Sequence, residues 1–177
     1  NSLTNSGTVT IASGKTLTTG SSSYSLAGIV TGDGSLTKAG AGILTLSSGG
    51  TFSYAGLSTV SNGTLAFGAD DQLGNSNAIT VSGGVLDFGG FSDTVGVVTL
   101  SSGSITSTTG VLTATSLTAD TATTAALSAK LGGATTLAMT GVGVLTLSGD
   151  NSFTGGTTVS AGTVRAGHDN AFGSLAT

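Results

Sequence analysis

The side chains able to do chemistry are few, and their spacing suits little of it. His168 is the sole histidine in the chain. A serine hydrolase needs a serine, a histidine and an orienting acid in contact. Gly149-Asp150-Asn151-Ser152 has the outline of a protease nucleophile loop, but Asn151 breaks it. His168, beside Asp169, reads as a solvated corner residue. Glycoside chemistry needs two carboxylates facing one bond. The chain has no Glu, and its acids are Asp33, Asp70, Asp71, Asp87, Asp93, Asp120, Asp150 and Asp169. Asp70-Asp71 is the one adjacent pair, in a turn-like stretch. Asp33, Asp120 and Asp150 have the character of turn or cap residues. Asp87 lies between Leu86 and Phe88 and so points outward. Asp71 with Asp93, met across neighbouring coils of the chain, is the one arrangement that could form a catalytic pair.

Other ligand chemistries fare no better. With no Cys there is no disulfide framework and no thiolate metal site. Calcium-binding β-rolls repeat Gly-Gly-x-Gly-x-Asp in every coil. Gly83-Gly84 and Gly89-Gly90 do not continue that way, and Gly32-Asp33-Gly34 is a lone fragment. A weak Ca²⁺ site at the Asp70-Asp71 surface is the alternative to a plain turn there. Thr-x-Thr pairs, which could order water if stacked, occur at Thr8/Thr10, Thr16/Thr18, Thr106/Thr108, Thr113/Thr115 and Thr121/Thr123. They lapse between Thr18 and Thr106, so strand propensity explains them better. Phe52, Phe67, Phe88, Phe91 and Phe153 could form an aromatic binding strip. A stacked core is the better reading, since Phe67 and Phe88 run in phase with Leu65 and Leu86. The sequence therefore assigns no catalytic, cofactor-binding or metal-binding residue, and no cofactor.

The elements that would hold these groups are strands. Ser and Thr together make up about a third of the 177 residues, and 31 are Gly. There is no Pro and only 7% charge, yet mean hydropathy is +0.39 and Val, Ile, Leu and Phe recur throughout. A disordered polar chain would not keep supplying core residues in this way. The net charge is −4, and Lys15, Lys38, Lys130 and Arg165 are scattered singly. With no basic patch, nucleic acid is not an expected partner. No apolar run reaches the ~18 residues of a membrane-spanning helix, and the first residues lack a signal-peptide pattern.

One phrase keeps returning: an apolar strand end, a small Gly-containing turn, a second strand. It stands at Ile11-Ala12-Ser13-Gly14-Lys15-Thr16-Leu17 and at Val60-Ser61-Asn62-Gly63-Thr64-Leu65. It returns at Val81-Ser82-Gly83-Gly84-Val85-Leu86, at Leu100-Ser101-Ser102-Gly103-Ser104-Ile105 and at Val159-Ser160-Ala161-Gly162-Thr163-Val164. Copies fall about 20 residues apart, or a small multiple of that, the period of a solenoid coil. The flanks alternate with period two, as in Ile43-Leu44-Thr45-Leu46, which places Leu65 with Phe67, and Leu86 with Phe88, on one inward face. The segment Asp120 to Leu131 has helix start and stop signals, but it falls where the period demands a rung. The missing prolines fit a stack in which nearly every N–H belongs to a ladder.

Two stretches resemble a known family. Gly34-Ser35-Leu36-Thr37-Lys38-Ala39-Gly40-Ala41-Gly42-Ile43-Leu44-Thr45-Leu46-Ser47 resembles the opening of the autotransporter-associated β-strand repeat, or passenger-associated transport repeat, of bacterial autotransporters. The run from Gly141 to Val164 is a fuller match, with Thr154-Gly155-Gly156-Thr157 at its turn. Asn170-Ala171-Phe172-Gly173 and Asp71-Gln72-Leu73-Gly74 resemble the closing phrase. In the first copy Tyr54-Ala55-Gly56-Leu57 replaces the turn and adds residues. The resemblance implies a right-handed parallel β-helix outside a Gram-negative-type outer membrane, helping a long passenger reach the surface. Right-handedness also agrees with the general preference of parallel crossovers.

The expectation is an all-β, right-handed parallel β-helix, or β-solenoid, of about 20 residues per coil and roughly eight or nine coils. It forms a single solenoid over 1–177, with repeats at 34–74 and 135–173 and no cap at either end. Uncapped ends expose core and unpaired backbone, so the partners expected are neighbouring coils of one long chain or end-to-end copies. The expected role is a structural, secretion-assisting segment, extracellular and at the cell surface or outer membrane. The alternatives are an adhesin whose faces bind a cell-surface or matrix glycan or protein, and, more weakly, a β-helix polysaccharide-degrading enzyme. No enzymatic activity is expected.

Overall fold

A computed structural model describes residues 7–173, and every regular element among them is a strand. All strand pairs are parallel. Each strand pairs with the strand one coil later, so the chain winds as a solenoid of about eight turns. Consecutive ladder partners such as Thr18↔Thr37, Thr37↔Thr59 and Thr99↔Thr118 are 19 to 22 residues apart. The segment Asp120 to Leu131 contains a strand, Thr124–Leu127, as the period requires.

The solenoid has three faces. One runs from Thr16–Thr19 through Ser35–Lys38 and Ser58–Val60 to Thr136–Met139 and Thr157–Val159. It turns two columns inward. The first is Leu17, Leu36, Ser58, Ile79, Val98, Leu117, Leu137; the second is Thr19, Lys38, Val60, Val81, Leu100, Ala119, Met139. The next face carries Tyr24, Leu44, Leu65, Leu86, Ile105, Leu127 and Leu147 in one inner column. The third is less regular: Val9, Val30 and Phe52 stack, a single bridge joins Phe52 to Leu73, and Asp93, Leu112 and Leu131 continue.

Alternation explains the core. In Thr64–Phe67, Leu65 and Phe67 are buried while Thr64 and Ala66 stay partly exposed. Each Leu removed from water contributes about 1.5–3 kcal/mol of gross burial. Phe67 and Phe88, one coil apart, stack with ring centroids 4.5 Å apart and 27° between planes. Phe52 and Phe153 are core as well. Phe91 differs from that expectation: it follows the Gly89-Gly90 turn and lies 36% exposed.

Corners are set by close backbone approach. Gly63 has φ +64°, and a Cβ there would sit 2.3 Å from Gly40 O and 2.4 Å from Gly42 O. Gly162, its counterpart in the later copy, has φ +66° and would meet Gly141 O at 2.3 Å. Only glycine fits both the backbone angle and the space.

Candidate functional site

The residues tested for catalysis are held by corners, and the corners keep most of them apart. His168 is exposed; its Nδ1 accepts from Asn170 N (3.1 Å) and lies 3.9 Å from Asp150 Oδ1. Ser152 is exposed, and Asn151 between it and Asp150 is buried. Asp150 accepts from Asn170 Nδ2 at 2.7 Å. That bond, with His168 and Lys130 adding to it, lowers the Asp150 carboxyl below its ordinary range.

Asp71 and Asp93 do fall on adjacent coils. Asp71 N donates to Ser92 O at 3.0 Å, and Ser92 N donates to Asp70 Oδ1 at 2.7 Å. The two carboxyls nevertheless have different surroundings. Asp71 has φ +51° and borders an open groove of about 360 Å³ along Gly50, Thr51, Phe52, Ser53 and Gln72 to Asn75. Asp93 is only 2% exposed and does not line that groove. Its Oδ2 accepts from Leu73 N at 2.9 Å, while Oδ1 is buried without a partner. Burial, with Asp71 nearby and against the Leu73 bond, pushes the Asp93 carboxyl up to about 6. A carboxyl tied to the main chain of the previous coil is placed to hold a corner. Asp87 faces outward and accepts from Gly89 N and Thr106 Oγ1. Among the described residues no group of three or more His, Cys, Asp or Glu is gathered to hold a metal ion.

Two polar arrangements escaped the sequence reading. Lys38 is fully buried in an inner column, and its Nζ donates to the main-chain oxygens of Gly20 (3.4 Å), Gly40 and Asn62 (3.5 Å), on three successive coils. Burial lowers its pKa. The signal was available, since the alternation of Leu36-Thr37-Lys38 already puts Lys38 on the face of Leu36. The other is at the enlarged first corner. Tyr54 Oη and Ser58 Oγ lie 2.7 Å apart, Ser58 Oγ donates to Asn77 Oδ1 at 2.6 Å, and Asn77 Nδ2 donates to Gly56 O at 2.9 Å. The extra residues thus fill the corner with Tyr54, whose phenol pKa is raised by burial against the Ser58 bond.

The outer surface carries one long regular feature. Thr18, Thr37, Thr59, Thr80, Thr99 and Thr118 are in register on six successive coils, followed by Ala138 and Thr158. Of the Thr-x-Thr pairs only Thr16/Thr18 contributes to this row, through Thr18; the other members are single threonines flanked by inward residues. Beside it Leu57 and Val97 are 40% and 46% exposed. The result is a flat, uncharged strip of hydroxyl and aliphatic groups repeating at about 4.8 Å, the spacing of neighbouring strands.

Stacked parallel coils with inward aliphatic columns define a β-solenoid. The chain matches the model of the passenger-associated-transport-repeat family over residues 36–67 and 137–166. It is also similar to the adhesin BmaC autotransporter of Brucella suis biovar 1 (strain 1330), 37% identical over 177 residues. That alignment covers 97% of this chain and 5% of the relative, so the chain spans about one-twentieth of that protein's length. No solved structure matches it. The chain thus carries two segments that match the passenger-associated transport repeat, and along nearly all its length it is similar to part of an autotransporter adhesin.

Proposed function

We propose that the chain is a structural, secretion-assisting segment of a long surface-displayed passenger. The observation that carries this reading is the unbroken stack. One parallel ladder runs from Thr16–Thr19 to Thr157–Val159, with repeat copies near both ends of it. Each new coil completes the ladder of the coil before it, so folding can propagate along the stack once a nucleus exists. Coils that fold outside the membrane are thereby held outside. The repeats, taken as 34–74 and 135–173, flank the long central strands Ile79–Asp87, Asp93–Thr106 and Val111–Ala119 and drive that progress from either side. The segment sits at the cell surface or is associated with the outer membrane; among its described residues no helix is long and apolar enough to span a membrane. Its partners are neighbouring coils of the same chain or copies stacked end to end. The relative's name, an adhesin, fits a non-enzymatic role.

The test is surface display of the full passenger with residues 135–173 deleted, or with Leu145 and Leu147 both changed to Asp. Surface protease accessibility should fall sharply while total expression holds. Normal display would sink the proposal.

A second reading, adhesion through the threonine strip, is favoured by the exposure of Leu57 and Val97 beside an uncharged row. Thr80→Lys with Thr99→Lys places two charges on the strip without touching the core. Loss of binding to host cells or matrix, with display intact, supports adhesion there; unchanged binding removes this face from consideration.

A further inference from the structure

We propose that Asn62 is a site of spontaneous covalent modification, in which the Gly63 nitrogen closes onto the Asn62 carboxamide and the buried Lys38 ammonium directs ring opening toward isoaspartate. Three observations converge on this corner.

First, Asn62 is the one asparagine in the chain followed by glycine, the pair favoured in tight turns with positive φ. It is exposed. Second, the reacting groups are already held together. Gly63 N donates to Asn62 Oδ1 at 2.8 Å, which keeps the carboxamide folded over the Gly63 nitrogen. Holding two groups at contact distance removes much of the entropic barrier to their reaction. The Gly63 N–H bonds to that side chain and not to a neighbouring strand, so closure breaks no ladder bond.

Third, the two ways of opening the ring are unequal. The Gly63 nitrogen loses its proton to water or hydroxide and bonds to Asn62 Cγ. The Cγ–Nδ2 bond breaks, and the nitrogen leaves as ammonia after taking up a proton. One water then opens the five-membered imide. Attack at the former side-chain carbon gives aspartate. Attack at the main-chain carbonyl carbon gives isoaspartate, with an extra methylene in the backbone. The main-chain oxygen of Asn62 is the one that Lys38 Nζ faces, at 3.5 Å. Negative charge developing on that oxygen forms beside a fixed ammonium, which stabilises the transition state. The carboxylate so produced keeps that oxygen, and Lys38 has no carboxylate partner among the described residues. A buried ammonium held only by neutral carbonyls gains most from such a partner. The inserted methylene lies where Ser61 N and Asn62 N bond to Lys38 O and Val85 N bonds to Gly63 O. Modification therefore marks and loosens one corner of the stack.

The test uses the chain as it stands. Folded protein and protein in urea are held side by side at mildly alkaline pH, then mapped by mass spectrometry with enzymatic isoaspartate methylation. Asn75, exposed and followed by Ser76, is the internal reference. Asn62 should convert ahead of Asn75 in the folded chain. Its isoaspartate-to-aspartate ratio should exceed that in urea by about tenfold, the factor given by about 1.4 kcal/mol between two transition states. Lys38→Met, which repeats the side chain of Met139 in the same column, should return the ratio to its urea value. Persistence of the Asn62 amide in the folded chain, or equal ratios folded and in urea, overturns the proposal. The folded-to-urea comparison decides it even if Lys38→Met does not fold.

Discussion

Asp93 and Asn151 perform the same task in two parts of the solenoid, and only one performs it completely. Both turn a short side chain inward at a corner of the irregular face. Both accept from the N–H of a leucine about one coil earlier: Leu73 N to Asp93 Oδ2 at 2.9 Å, Leu131 N to Asn151 Oδ1 at 2.8 Å. Asn151 then donates its Nδ2 to Ala171 O at 2.6 Å, tying three coils together. Asp93 has no donor with which to make a second tie; its Oδ1 is buried and unpaired. The amide suits a coil stack because it carries an acceptor and a donor, matching the N–H before it and the C=O after it. An ionised carboxylate has acceptors alone. Side-chain stapling of coils therefore depends on donor count as much as on size.

The sharpest way to break this comparison is to remove each staple. Asn151→Ala should cost about 2–5 kcal/mol, because it leaves Leu131 N and Ala171 O both without their partner. Asp93→Ala should cost about 1–3 kcal/mol, since Leu73 N loses its acceptor but no carbonyl of a following coil loses a donor. Urea unfolding of both variants checks the order. Equal losses would mean that the second bond of Asn151 contributes nothing.

A second contrast lies at the other unlike pair, Lys38 and Met139, which occupy one inner column. Lys38→Ala removes the ammonium and leaves a cavity, for a loss of about 2–4 kcal/mol. Lys38→Met keeps the volume and should change stability by about 1 kcal/mol or less, as apolar replacements of buried charges often do. A large loss in Lys38→Met would show that the carbonyls of Gly20, Gly40 and Asn62 need the charge and that Lys38 is more than filler.

Much of this architecture is legible in the sequence. The returning strand–Gly–strand phrase sets the coil, and period two sets Leu65, Phe67, Leu86 and Phe88 inward, as found. The same alternation carries Lys38 inward with Leu36, yet an isolated Lys reads as solvent-facing until the carbonyls around it are known. Phe91 fails for the opposite reason: it sits just past a turn, where alternation is no longer defined. The threonine row is hidden by coil lengths that vary from 19 to 22 residues. No fixed period brings Thr37, Thr59 and Thr80 into line. Asp93 and Asn151 differ little as letters in a corner; what separates them is the donor that only one provides.

The finest distinction is a pH dependence. The Asp93 carboxyl titrates near 6 in the folded chain, above its ordinary value, because burial disfavours its charge. The folded state therefore binds this proton more tightly than the unfolded state does. The resulting stabilisation is complete below the ordinary carboxylate range and is lost as pH rises through about 6. Asp93→Asn should remove that loss, since its amide is neutral at every pH and supplies the donor that Asn151 has. The variant should exceed the parent by about 1 kcal/mol at neutral to mildly alkaline pH, with the gap closing as the medium is acidified. Asp71, the other charged group acting on Asp93, raises its pKa further, so Asp71→Asn should narrow the gap from the other side. Parallel unfolding curves for parent and Asp93→Asn across the whole range would show that Asp93 is already well solvated, and the contrast with Asn151 would then lie in geometry alone.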